Sequence, residues 1–392
     1  MVRIKSLFAF AVLLLTVISC QKDPISGGED KDVPQLLTNN DFLSNLTLED
    51  RNSGVDYYID QTINMDHDLV IKPGVVIEFG ENGGISIRES GSIEAKGLSD
   101  KGITFSGRLK SKGSWNGILV QSTSLKNVFK HCIFEFAGKD GWGNDVTGAL
   151  GTWAEASMNV DDCVFRNNKV RGVSLYRSAN VELRSFENNV FENNDLPIKI
   201  DPATVHQLGN TNTFADLKNV IEVYEDDVFD DESPNITFTW KAQPIPYAVQ
   251  GVVSIRYKGN LTIEAGAVLE FNETAYLSVD DASLTIKGTA LKPVMLTGTS
   301  KSPGSWGGLA FSFTSSSKNT IEHAVIEYAG SNAYEFENGA IYMWASPVVS
   351  FKNCTFKEIA TCVFNSNRSP FDQPNLTEQN NSFVNTGSKT CN

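Results

Sequence analysis

The chain is 392 residues long and carries a formal net charge of −14, from 33 basic and 47 acidic side chains. That balance repels nucleic acid and anionic lipid, and it offers no broad basic groove. Nucleic acid is therefore not expected as a partner, and the chain is rich in glycine, with 31, and phenylalanine, with 23.

The amino terminus has the grammar of a secretory signal. Arg3 and Lys5 precede an apolar run from Leu7 to Ile18, too short for a good membrane span of about 20 residues. The following Val17-Ile18-Ser19-Cys20 resembles the lipobox of bacterial lipoproteins. In that family the cysteine is acylated and becomes the first mature residue. The resemblance implies a signal peptide at 1–19, a lipid anchor at Cys20 and attachment to the membrane through it. Gln21 follows where Asp would direct retention in the inner membrane, which implies the outer membrane. Residues 20–44 begin polar and acidic, with Glu29, Asp30 and Asp32, and read as a flexible tether. They also resemble the acidic export tags of surface lipoproteins of the Bacteroidota, which implies exposure at the cell surface.

From residue 45 onward the pattern is β. Runs such as Val75 to Phe79, Gly84 to Ile87, Ser283 to Ile286 and Val348 to Phe351 are short, rich in β-branched residues and bounded by Gly, Asn, Asp or Pro. No long helical period appears; residues 214–223 have room for one helical turn at most. Phe105, Phe134, Phe165 and Phe191 recur at nearly even spacing, and Ile326, Phe356 and Phe383 repeat that spacing further along the chain. A helix-free coil of that length predicts a parallel β-helix, each ring about 4.8 Å above the last. A propeller would need four antiparallel strands per blade and the hairpin turns to match.

A longer period overlies this one. Gly113-Ser114-Trp115-Asn116-Gly117 returns as Gly304-Ser305-Trp306-Gly307-Gly308, and Glu135-Phe136-Ala137-Gly138 as Glu327-Tyr328-Ala329-Gly330, at offsets of 191 and 192. The chain thus reads as two tandem homologous halves, 45–218 and 219–392. The phrases Leu261 to Phe271, Ser305 to Gly308 and Ile326 to Gly330 resemble those of right-handed parallel β-helix repeat proteins of the pectate-lyase-like superfamily. The resemblance covers about residues 55 to 390. It implies an all-β, right-handed solenoid but no particular activity, because one fold hosts many functions.

The chemistry is sparser. Polygalacturonase-type hydrolases of that superfamily carry Asn-Thr-Asp, Asp-Asp, Gly-His-Gly and Arg-Ile-Lys motifs. No such set stands here: Asp161-Asp162 is a paired carboxylate, but its echo is Lys352-Asn353 and no Gly-His-Gly follows. Arg166, Lys169, Arg171, Arg177 and Arg184 near Asp161, Asp162 and Glu182 form the best lyase-like grouping, against a plain charge-mixed face. Glu225-Asp226-Asp227 with Asp230-Asp231-Glu232 offers oxygens to Ca²⁺, but lacks the glycine-punctuated order of a calcium loop; a solvated connector is the plainer reading. His131 and His323 echo each other and read as structural. Trp115 with Trp306, and Trp153 with Trp344, also recur and read as packing.

Trp142 differs. It lies in the loop Lys139 to Asp145, rich in Gly and Asn, and its counterpart is Tyr334, with Asp145 matched by Glu337. An exposed ring beside an acid suits a sugar: the ring stacks on the sugar's apolar face and the acid takes hydroxyls. Trp142, Asp145, Tyr334 and Glu337 are therefore the candidate ligand residues, for a glycan or a partner protein. Cys362 and Cys391, one coil apart, are within disulfide reach, while Cys132 and Cys163 read as buried thiols. No Cys/His metal spacing occurs. The leading reading is a non-catalytic binding or adhesion module; the alternative is a β-helix polysaccharide lyase or glycoside hydrolase.

Overall fold

The computed structural model describes residues 33–143, 145–176, 181–215, 219–229, 235–331, 339–366 and 375–391. Cys20 and the signal segment, Arg177, the acidic residues 230–232, Tyr334 and Glu337 lie outside the described residues.

The described chain is a parallel β-helix. Each coil lays strands on three faces; in the early coils these form a first sheet holding Val76–Phe79, a second holding Gly84–Ile87 and a third holding Ser92–Lys96, and the paired strands all run parallel. Beyond the strands the only regular pieces among the described residues are 3₁₀ turns at Asn39–Phe42 and Val205–Gln207. Around the segment 214–223 the described residues form strands at Thr213–Phe214 and Ile221–Val223; residues 216–218 lie outside the description.

Alternation of side chains along each strand fills the interior. Phe105, Phe134, Phe165 and Phe191 stack at centroid distances of 5.0, 4.8 and 5.2 Å, and Phe214 extends the column by another 5.2 Å. Ile326, Phe356 and Phe383 are likewise in register. Each fully buried ring contributes roughly 1.5–3 kcal/mol by leaving water.

Asparagine has a larger part than turn chemistry alone. In Asn167-Asn168, Asn188-Asn189 and Asn193-Asn194 the first residue takes a left-handed φ of 56°, 57° and 49°. The second turns inward. Asn168 Nδ2 donates to Phe134 O, while its Oδ1 accepts from Ala137 N, and Asn189 bridges Val160 O and Cys163 N in the same way. These amides satisfy backbone groups that the coil corners would otherwise bury without partners.

The two ends are closed differently. Residues 33–44, expected as part of the tether, are folded: Gln35–Leu36 pairs with Tyr57–Ile59, and Leu37 and Phe42 are buried. These two apolar side chains cover the open end of the core. At the other end Cys362 and Cys391 are bridged, with Cα atoms 5.3 Å apart. Cys132, Cys163 and Cys354 are free and buried.

The sheets do not all run the length of the molecule. The sheet holding Gly84–Ile87 and Ile118–Val120 continues through Ile198–Ile200, Ile221–Val223 and Tyr247–Val249 into Val268–Phe271. Yet Val268–Phe271 echoes Val76–Phe79, which belongs to a neighbouring sheet. The stack of coils is thus continuous, but past residue 221 each echoed phrase has advanced by one face.

Candidate functional site

The second sheet turns three rows of side chains outward in its early coils. One row is Thr62, Gly84, Gly117; the next is Asn64, Ser86, Leu119, Gly151. The third, two positions on, is Asp66, Arg88, Gln121 and Trp153. Between these rows lies a trough of about 900 Å³ lined by Asn64, Asp66, Ser86, Arg88, Gln121 and Glu155, among others, with Trp142 and Trp153 on its rims. It spans the strands from Thr62–Met65 to Leu150–Thr152, three steps of about 4.8 Å.

Each rim is built by a specific local arrangement. On one side, the loop before Leu150 folds over the sheet. Asp145 O accepts from both Ser174 Oγ and Tyr224 OH at 2.7 Å, and Thr147 Oγ1 donates to Gly143 O. The loop can lie this low because Gly151 has no side chain; a Cβ there would meet Val146 O at 2.6 Å. Trp142 then settles over Gly84, whose Cβ would stand 2.9 Å from the indole Cζ2. Its Nε1 is shielded from solvent and has no hydrogen-bond partner among the described residues.

On the other side stands Trp153, 43% exposed. Tyr176, one coil on, stacks on one face of the indole at 4.7 Å and 17°. The same indole lines the trough. The floor between is polar: Ser86 Oγ donates to Gln121 Oε1 at 3.0 Å, drawing the amide down against the sheet.

Of the residues singled out in the sequence, Trp142 borders this trough and Asp145 does not. The Asp145 carboxylate instead lies 3.9 Å from Lys199 Nζ, because its backbone is pinned onto the sheet by Ser174 and Tyr224. Trp153 was read as packing, and that reading is corrected: both Trp153 and Trp344 are partly exposed, while Trp115 and Trp306 are fully buried. The signal was in the strand period. In Leu150-Gly151-Thr152-Trp153 the inward positions are 150 and 152, so 153 must face out.

Among the described residues of the lyase-like grouping, Arg166, Arg184, Asp161 and Glu182 are each engaged by other partners. Arg166 pairs with Glu135 on the first sheet. Arg184 donates to Leu125 O and Asn127 O on the third. Asp161 Oδ1 is held by Ser185 Oγ and Glu187 N, and Glu182 accepts from Ser157 Oγ. Among the described residues no group of three or more His, Cys, Asp or Glu is arranged to hold a metal ion. His131 and His323 sit at coil corners with left-handed φ of 48° and 49°. His206 stacks on Phe238 at 3.7 Å, and burial holds its pKa below the usual histidine value.

Residues 233–342 match the family described as pectate-lyase like beta helix domain. No curated protein and no solved structure gives a significant match. The family match agrees with the stacked parallel sheets, and the trough lies on coils amino-terminal to the matched segment.

Proposed function

We propose that this protein is a lipid-anchored, cell-surface module that binds glycans without cleaving them. The observation that carries this reading is the trough rimmed by Trp142 and Trp153 over a floor of amides, hydroxyls and charged groups. A partly exposed indole with one face backed by a ring offers the other to the apolar face of a sugar. The polar floor matches the hydroxyls on the sugar's edge. Aromatic anchors with a few placed polar groups are the usual make-up of a small-ligand site.

A glycan array followed by calorimetry tests this. Trp142→Ala and Trp153→Ala should each weaken binding by about 1 to 3 kcal/mol, a hot-spot-sized effect, with little change in melting temperature. The bound glycan should return unaltered; new reducing ends or the absorbance of unsaturated products would replace binding by hydrolysis or lyase chemistry. The anchor is tested separately. Cys20→Ala should move the protein out of the membrane fraction, since no second lipid signal is proposed. Retention after a high-salt wash would overturn the anchoring.

A further inference from the structure

The charges around the trough bear on which glycan it takes, an inference that rests on the glycan-binding reading above. Among the described residues its lining holds three acidic side chains, Asp66, Glu89 and Glu155, and one basic one, Arg88. The wider field has the same sign, with a net charge of −14, and a concave wall focuses it. A sugar stacked on Trp153 would lie level with Gln121 and within reach of the row that carries Asp66 and Arg88. A chain of sugars running from Trp153 along that row passes Arg88 and then Asp66, with Glu89 beside them, so a carboxylate on each sugar would meet more like charge than the one guanidinium among the described lining residues offsets.

We infer that the trough selects glycans free of carboxylate groups and discriminates against polyuronates. The discrimination is electrostatic, so it weakens as salt screens the lining charges. It also has a negative element, repulsion of the wrong ligand, which is a common source of specificity.

Matched pairs of hexasaccharides test this. Glucan, galactan and mannan hexamers are compared with the same chains oxidised at C6 to uronates, by calorimetry at low and high salt. At least one neutral hexamer should bind, with its oxidised partner at least tenfold weaker, and the gap should narrow in high salt. In the Asp66→Asn, Glu89→Gln double variant the ratio between the two partners should fall severalfold. An oxidised chain that binds as tightly as its neutral partner, with both lost in Trp153→Ala, would overturn the charge selection and leave the glycan site standing. A gap that neither salt nor the double variant alters would also overturn it, because the C6 hydroxyl rather than charge would then be recognised. Absence of binding to every hexamer would defeat the glycan reading and this inference together.

Discussion

Two stretches of the solenoid, echoes of one another in sequence, agree on one face and disagree on the next. On the face carrying Val76–Phe79, Lys110 joins Glu78 to Ser106, Ser106 donates to Glu135, and Glu135 pairs with Arg166. Its echo is complete: Lys301 joins Glu270 to Thr297, Thr297 donates to Glu327, and Glu327 pairs with Lys357. Beneath each network an indole is stacked on a phenylalanine at 4.1 Å, Trp115 on Phe79 and Trp306 on Phe271, and donates 2.8 Å to a backbone carbonyl. On the neighbouring face the two stretches part. Gly84, the bed of Trp142, is matched in the later coils by Tyr276, and Gly151, which admits the Val146 carbonyl, by Tyr342. What recurs on both stretches is what the coil needs to stand. The difference lies where tyrosines fill one copy and glycines open the other, and there the function is to be sought.

The comparison can be broken at several points. The largest effect should come from the shared core. Phe165→Ala, and equally Trp115→Ala or Trp306→Ala, should each cost about 3–5 kcal/mol in denaturant unfolding. Trp115 and Trp306 should differ little, and a markedly milder loss at one would mean that the echo is only superficial. Next comes the face that differs. Gly84→Tyr, which imports the tyrosine of position 276, should displace Trp142 and weaken glycan binding about tenfold, or about 1.4 kcal/mol. Smaller still is the duplicated charge network. Glu135→Gln and Glu327→Gln should each cost about 1 kcal/mol or less, and less again in high salt, because Arg166 and Lys357 are exposed enough to stay hydrated. Unequal losses would show that the networks are not equivalent. The smallest expected signal is none at all. Cys163 and its echo Cys354 are both buried, and burial pushes the Cys354 thiol up to about 11. Neither should be alkylated in the native protein at neutral pH, as peptide mapping after maleimide treatment would report.

The fold was legible because its determinants are periodic. Phe105, Phe134, Phe165 and Phe191 can recur at so even a spacing only if each coil stacks on the last, and the rings do stack. The inward asparagines were less legible, since Asn188 and Asn189 are the same letter with opposite duties, one a left-handed corner and the other a buried clamp. The candidate site was harder again. Trp142 could be picked out by its loop, but its partner across the trough, Trp153, comes only after the next strand, and its bed, Gly84, lies two coils back. Trp153 was obscured by its own echo, because recurrence was equated with burial, although Trp344 recurs on the surface as well. Residues gathered from four coils share a face only once the coil length is known to the residue.

The measurement that bears most directly on the account is calorimetry of one array-identified glycan against wild type, Trp153→Ala and Trp344→Ala. The two tryptophans are echoes of one another, both exposed, and differ in what surrounds them: Trp153 is stacked on Tyr176 at the trough, while Trp344 meets Phe313 edge-on. Loss of binding by about 1 to 3 kcal/mol in Trp153→Ala, with Trp344→Ala indistinguishable from wild type, is the predicted result. Equal loss in both, or loss only in Trp344→Ala, would contradict the assignment of the site to the glycine-opened face.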